Sequence, residues 1–233
     1  MKRRVSVAGI VALCLTALVL AALSVSKHRA GDSPNPAVVV HIDVASIRAR
    51  ADLGEARAQW ELGNLYARGE GVTNSYAEAA KWYRRGAELG NADAQVALGE
   101  LYQAGQGVSK DLAAAGKWFR LAAAQRNVKA QYSLAFMYET GRGQPQDQVQ
   151  AAQWYRLAAE QGDAVAQYDL GQRYDLGVGV PVDRVEALKW LTLAASQGQP
   201  DAAARGDKIK SNMTRKEISE ARNRVAAFST NQP

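Results

Sequence analysis

Apolar and small residues recur at the spacing of amphipathic helices through most of the chain. Between Ala58 and Tyr66 they fall at i, i+3, i+4 and i+7, which collects them on one helical face. A second stripe, centred on Trp82 and Tyr83, follows after a short polar segment. Gly69 stands between the two, and glycine ends helices readily because it adopts left-handed backbone angles without steric cost. The pattern therefore predicts a hairpin of two helices joined by a glycine-containing turn.

This hairpin pattern occurs four times in the chain, at a period of 36 residues. The stretch "LGNLYARGEGV" returns as "LGELYQAGQGV", "LAFMYETGRGQ" and "LGQRYDLGVGV". A period of this size is typical of solenoids, in which each hairpin buries its apolar face against its neighbours. We therefore predict an all-α solenoid of 36-residue helix-turn-helix repeats, preceded by one apolar N-terminal helix. A dinucleotide-binding role for Gly-x-Gly is disfavoured, because the motif follows a helix and not a strand.

The period divides the chain into segments. The solenoid covers 43–228, with a half-repeat cap at 43–54, repeats at 55–90, 91–126, 127–162 and 163–198, a C-terminal cap at 199–228 and a tail at 229–233. A signal anchor or signal peptide is predicted at 1–26 and a linker at 27–42. The C-terminal cap contains its own Thr-x-x-Glu capping box, starting at Thr214.

Several columns of the repeat, meaning positions that are equivalent in the four copies, should hold the stack together. The glycines end the first helix or allow close helix approach, and the tryptophans fill the space between helix pairs. The residues expected to be structural are Gly63, Tyr66, Gly69, Trp82, Tyr102, Gly105, Trp118, Tyr138, Gly141, Trp154, Tyr174, Gly177 and Trp190.

Polar columns also recur. The residues expected to cap the second helix are Ser75, Asp111, Asp147 and Asp183, and three of them have Glu or Gln three positions later, the spacing of a capping box. A glutamine lies on the apolar face of the first helix in every unit, at Gln59, Gln95, Gln131 and Gln167. We expect these amides to hydrogen-bond the backbone between units, with peptide recognition as the alternative.

The residues from Val5 to Val25 carry no charge and would span about 31 Å as a helix, close to the roughly 30 Å hydrocarbon core of a bilayer. Basic residues at positions 2–4 favour a cytoplasmic amino terminus. We therefore expect the repeats on the periplasmic or outer side, tethered to the inner membrane by residues 5–25. Cleavage near Ser24-Val25-Ser26, which would leave a soluble periplasmic or secreted protein, is the alternative.

Charge and composition argue against other functions. Net charge is +6, but five of the 29 basic residues lie among the first thirty residues with no acid, so the body is nearly neutral and no nucleic-acid partner is expected. Cys14, His28 and His41 all precede the repeats. Thiol or imidazole catalysis, metal binding and cofactors are therefore not expected in the solenoid. A carboxylate pair, Glu100 with Glu139 or Asp175, is the remaining catalytic candidate.

The repeated motif resembles the Sel-one-like repeats (SLR), relatives of the tetratricopeptide repeats. It reads Ala-Gln-x-x-Leu-Gly-x-x-Tyr, then Gly-x-Gly-Val, then Ala-x-x-Trp-x-x-x-Ala-Ala, as in Ala94–Val108 and Ala115–Ala123. Gln144 departs from it by replacing valine. The resemblance implies a right-handed α-α superhelix serving as a protein-interaction scaffold, often in bacterial envelopes. Cysteine-rich members of the family are linked to β-lactam recognition, which does not carry over because these repeats contain no cysteine.

The first helices should line the concave wall of the solenoid and form a partner-binding groove. Its predicted residues are Arg57, Trp60, Asn64, Val96, Glu100, Tyr132, Phe136, Tyr168 and Gln172. Aromatic side chains on such a face indicate binding, with packing between units as the alternative. We expect a non-enzymatic scaffold for a protein or peptide. Binding of cell-wall glycan or exported polysaccharide through Trp60, Tyr132 and Tyr168 is the alternative.

The outer face of the second helices is basic, and its cations are Lys81, Arg84, Lys117, Arg120, Arg156 and Lys189. This face could contact phosphate or acidic lipid. Because Glu88 and Glu160 lie four residues after Arg84 and Arg156, local ion pairs and a solvated face are the favoured interpretation.

Overall fold

A computed structural model describes residues 43–230, and the predicted apolar N-terminal helix and linker lie outside this part of the chain. The described residues form eleven α-helices and no strand. The helices are α1 (Val44–Asp52), α2 (Ala56–Arg68), α3 (Tyr76–Glu88), α4 (Ala92–Ala104), α5 (Leu112–Ala124), α6 (Val128–Thr140), α7 (Gln148–Glu160), α8 (Ala164–Leu176), α9 (Arg184–Ser196), α10 (Ala202–Lys210) and α11 (Arg215–Thr230). None of these helices is both long and apolar enough for a bilayer span. The predicted all-α architecture of 36-residue helical pairs is confirmed.

The helices stack in chain order. Within a unit the first helix packs on the second, as α2 packs on α3, and the second helix then packs on the first helix of the next unit, as α3 packs on α4. This alternation continues to α10. The final helix, α11, packs on α9. The apolar core therefore runs along the stack and is built at every step from two neighbouring units.

The predicted N-caps are confirmed. The Ser75 hydroxyl accepts from the Glu78 backbone N–H at 3.2 Å, and the aspartates at the same column do likewise. The reciprocal arm of the capping box is absent here, because the Ser75 N–H donates to the Tyr66 carbonyl at 2.9 Å. At Thr214 both arms form: its N–H donates to Glu217 at 2.7 Å, and the Glu217 N–H donates back at 3.3 Å. The Thr214 N–H and hydroxyl, which both donate to the Glu217 carboxylate at 2.7 Å, lower the pKa of Glu217.

The two glycines of Gly-x-Gly have different roles. Gly105 (φ 74°) ends α4 in the left-handed conformation, and its N–H donates to the Leu101 carbonyl at 2.8 Å. Gly107 (φ 67°) is also left-handed, and a Cβ there would lie 2.2 Å from the backbone of Tyr76, the first residue of α3 in the preceding unit. The first glycine therefore ends a helix, and the second lets the loop touch the neighbouring unit.

A third glycine column allows close approach within a unit. A Cβ on Gly63 would lie 2.4 Å from the Tyr83 ring, and one on Gly99 would lie 2.7 Å from the Phe119 ring. The side chain that presses on this column is thus the residue after the tryptophan. The tryptophans lie between units: Trp82 is buried, and Trp118 is half-buried against the core of α3 and α4.

The glutamine column forms the predicted bond to the backbone. The Gln95 amide donates to the Ala87 carbonyl at 3.1 Å, and the equivalent bonds at the other three glutamines measure 3.1 to 3.3 Å. The Gln95 side-chain oxygen also accepts from the Gln125 amide at 2.9 Å. In the first unit Leu89 occupies the column of Gln125, and the buried Gln59 side-chain oxygen has no hydrogen-bond partner.

Arginines of the outer face bind the tyrosine column of the next unit. Arg84 donates to the Tyr102 hydroxyl at 2.7 Å, and Arg156 donates to the Tyr174 hydroxyl at 2.5 Å. Arg120 reaches Tyr138 at 3.4 Å. The solvated-face interpretation missed these bonds, which join residues 18 positions apart in successive units.

Candidate functional site

A cavity of about 320 Å³ opens between α2 and α4 on the first-helix side of the stack. Trp60 and Asn64 line it from α2, and Val96 and Glu100 line it from α4. Four of the nine predicted groove residues therefore meet in one place. The remaining lining residues are Arg68, Tyr83, Asp93, Ala97, Asn127 and Lys129. We call this space the first-helix cavity.

Internal hydrogen bonds and an ion pair fix the walls of the first-helix cavity. The Tyr83 hydroxyl donates to the Asn64 side-chain oxygen at 2.7 Å, and burial raises the pKa of this hydroxyl to about 12. The Lys129 ammonium lies 2.6 Å from the Glu100 carboxylate. Because Lys129 belongs to the following unit, this ion pair ties α4 to α6. The cavity is thus a pre-formed polar site with one large aromatic wall, the indole of Trp60.

Two predicted groove residues do not behave as accessible lining of the first-helix cavity. Val96 is 4% exposed, and its side chain belongs to the core around Phe119. Arg57 is exposed but outside the lining of the first-helix cavity, and its guanidinium donates to Glu61 at 3.0 Å.

The other predicted groove residues lie further along the stack and are half-buried. Tyr132 meets the Tyr155 ring edge-on, with centroids 5.4 Å apart. The Arg142 guanidinium lies 5.9 Å from the centroid of the Phe136 ring. Tyr168 packs against the core of α9 and α10. These rings contribute to packing, so the aromatic column is not a continuous exposed strip.

Gln172 lines a second, smaller cavity of about 110 Å³, whose other lining residues are Glu139, Asp169, Arg173, Leu176 and Val178. Arg173 is 4% exposed, and its guanidinium lies 2.6 Å from Glu139. Burial, and secondarily the Glu139 carboxylate, raises the pKa of Asp169 to about 6. The sequence analysis missed Arg173. The sequence did contain a signal for it, because a charged residue stands here at a position where the other units carry the apolar residues Leu65, Leu101 and Met137.

The carboxylates considered for catalysis do not form a pair. Glu100 lines the first-helix cavity, whereas Glu139 lines the smaller one. Each has its own cation: Glu139 pairs with Arg173, and Asp175 lies 3.2 Å from the Arg205 guanidinium. Within residues 43–230 no group of three or more His, Cys, Asp or Glu side chains is placed to hold a metal ion.

Stacked pairs of helices at a 36-residue period define a helical-repeat protein. Residues 56–91, 92–127, 128–163 and 164–199 each match the Sel1 repeat model. The chain belongs to the Sel1 repeat family, whose members are generally protein-interaction scaffolds.

Solved structures similar to this chain include two with Sel1-type repeats. One is a Sel1 repeat protein from Oxalobacter formigenes, with 37% identity, a TM-score of 0.65, and coverage of 68% of this chain and 65% of that one. The other is c5321, a protective antigen of uropathogenic Escherichia coli strains with an SLR fold, with 29% identity, a TM-score of 0.52, and coverage of 79% and 48%. The chain thus spans less than two thirds of the length of either protein. No curated protein matches the chain.

Proposed function

We propose that this Sel1 repeat protein is a non-enzymatic scaffold of the bacterial-type cell envelope that binds a protein partner in the first-helix cavity. The observation that carries the proposal is the composition of the cavity, in which side chains of successive units converge on one space of about 320 Å³. A pre-formed concave site in which polar groups converge beside an aromatic wall is suited to ligand recognition.

The cavity chemistry suits an extended peptide segment of a partner. Trp60 offers an indole face for an apolar side chain, and aromatic anchors of this kind dominate binding energies at interfaces. Arg68 and Asp93 supply opposite charges on the lining. Both are exposed, so a partner's backbone and charged side chains can reach them from solvent.

The location rests on the amino-terminal sequence. An uncharged stretch of 21 residues after three basic residues supports export of the repeats with the amino terminus in the cytoplasm. Digestion by external protease in cells with a permeabilised outer membrane tests this: the repeats should be degraded, and protection of the repeats would contradict export.

A protein partner is favoured over a glycan. Sugar stacking along the groove would need the rings of Trp60, Tyr132 and Tyr168 as accessible platforms. The Tyr132 ring is held against Tyr155, and Tyr168 belongs to the packing of α9. Trp60 also packs against the core of α3 and α4, but unlike the two tyrosines it lines the first-helix cavity.

Photo-crosslinking in cells tests the proposal. A photoreactive residue at Ala97, which lines the cavity, is compared with one at Ala113, an exposed position on α5. The proposal expects a discrete protein adduct from Ala97 that is absent from Ala113. Glycan adducts without protein, or the same adducts from both positions, would contradict it.

A further inference from the structure

The last helix of the chain shows how the second-helix side of the stack binds another helix. Phe228 of α11 meets Trp190 of α9 edge-on, with ring centroids 5.3 Å apart. The Lys189 ammonium lies 4.1 Å from the Trp190 ring and 5.6 Å from the Phe228 ring. Leu193 belongs to the same cluster and is 7% exposed. A Lys-Trp-x-x-Leu pattern on α9 therefore accepts an aromatic side chain from an amphipathic helix.

The same pattern recurs on α5 as Lys117, Trp118 and Leu121. Here the leucine is 51% exposed and the tryptophan is half-buried. The next unit repeats the Trp-x-x-Leu part on α7, where Leu157 is 42% exposed beside the half-buried Trp154. We call the four apolar residues of α5 and α7 the second-helix patch. Its leucines are several times more exposed than their counterpart on α9.

A cavity of about 280 Å³ adjoins the second-helix patch. Trp154 and Leu157 line it from α7, and Ala123 and Arg126 line it from the end of α5 and its turn. A concave space beside an indole is the setting in which aromatic anchors bind. The patch thus combines exposed leucines with a pocket for a ring.

The first unit shows how the chain closes the same position without a partner. On α3 the residue three positions after the tryptophan is Arg85, and its guanidinium covers the Trp82 ring at 4.5 Å from the centroid. The tryptophan column is therefore covered by an arginine on α3 and by a phenylalanine on α9. The two units between them carry leucine at that position.

We infer that the second-helix patch is a second docking site, separate from the first-helix cavity, for an amphipathic helix of a partner protein. The helix presents an aliphatic residue and, three positions later, an aromatic one, as Val225 and Phe228 do on α11. Charge complementarity adds an acidic residue near the aromatic one. On α11 this place is taken by Arg224, which pairs with Glu186 at 2.7 Å. At the patch the cations Lys117 and Arg126 outnumber the one acidic residue of the cavity lining, Glu160.

Calorimetric titration of the full-length protein tests the inference. The probe is a synthetic peptide with the sequence of residues 214–230 and the change Arg224→Glu, which favours the basic patch and disfavours exchange with α11 beside Glu186. Saturable binding is expected, and Phe228→Ala in the peptide should weaken it at least about tenfold, because loss of a buried aromatic anchor has effects of this size.

A matched pair of protein variants locates the binding site. Leu121→Arg with Leu157→Arg copies the arrangement of Arg85 over Trp82 and should weaken binding at least about tenfold. Ala113→Arg with Val149→Arg adds the same charge at exposed positions of the same two helices and should leave the affinity unchanged. The inference is overturned if the peptide does not bind saturably, or if both double variants bind it equally well.

Discussion

Replacing Leu89 with glutamine should stabilise the protein by restoring a hydrogen bond that the other units make. At the ends of α5, α7 and α9 a glutamine amide donates to the buried glutamine of its own unit at 2.7 to 2.9 Å. Leu89 ends α3 at the same column, and it is 59% exposed. Gln59 is 5% exposed, so its side-chain oxygen is a buried acceptor without a donor.

The magnitude follows from the chemistry of this oxygen. A typical intramolecular hydrogen bond contributes about 0.5–1.5 kcal/mol net, whereas orphaning a buried acceptor costs about 1–3 kcal/mol. Leu89→Gln should therefore raise the free energy of unfolding by about 1 kcal/mol and Tm by about 2–4 °C for a chain of this size. The reverse change, Gln125→Leu, should lower it by about 1–3 kcal/mol, because it orphans the oxygen of Gln95.

Urea and thermal unfolding followed by circular dichroism measure both changes. Leu89→Glu is the control, because glutamate has the size of glutamine but its ionised carboxylate has no N–H to donate. It should give no stabilisation. If Leu89→Gln and Leu89→Glu were equally stable, or if Gln125→Leu were neutral, the glutamine pair would not be a stabilising contact between side chains.

Further substitutions test other parts of the fold. Arg126→Gly relieves a left-handed backbone (φ 65°) and should raise Tm, with stability gained by about 0.5–1 kcal/mol; a lower Tm would refute this. Gln144→Val removes a buried amide nitrogen that has no acceptor, together with an exposed hydrogen bond from Arg120 at 3.1 Å, and should raise the free energy of unfolding in urea by up to about 1 kcal/mol, where a loss would contradict the reasoning. Gly107→Ala should lower the free energy of unfolding more than Gly90→Ala in the same assay. Both glycines have positive φ, but only a Cβ at Gly107 would meet the backbone of another unit. The raised pKa of Asp169 means that the folded state binds its proton more tightly than the unfolded chain, so this group's contribution is present below about pH 4 and is lost as pH rises to about 6. As pH rises over that range, the free energy of unfolding of Asp169→Asn should therefore increase relative to that of the wild type, by on the order of 1–3 kcal/mol. Parallel profiles of unfolding free energy against pH for the two proteins would exclude the effect.

Features that depend on local sequence were predictable. The glycine at the end of each first helix, the capping aspartates and the two-helix unit follow from helix periodicity and cap chemistry within about ten residues. Gln131 was predictable as a backbone-bonding residue because it is polar on an otherwise apolar stripe, where a buried amide requires partners.

Features that depend on how two units meet were not predictable. The contact of Gly107 with α3 and the bond from Arg84 to Tyr102 join residues whose proximity is set by the stacking geometry. The half-burial of Tyr132 depends on packing within its own unit, because the ring that covers it belongs to Tyr155 on the second helix of that unit. A helical wheel of one helix shows which face lies opposite the buried stripe, but it does not show which side chains a neighbouring helix packs against that face.

The most direct test of the central proposal is to fill the first-helix cavity. Ala97→Trp places a large side chain in that cavity, and Ala113→Trp places the same side chain on the exposed face of α5. The quantity to measure is the Kd of the protein that crosslinks from Ala97. The proposal expects Ala97→Trp to raise this Kd at least about tenfold while Ala113→Trp leaves it unchanged. An unaltered Kd for Ala97→Trp in a protein of unchanged Tm would show that the partner binds elsewhere.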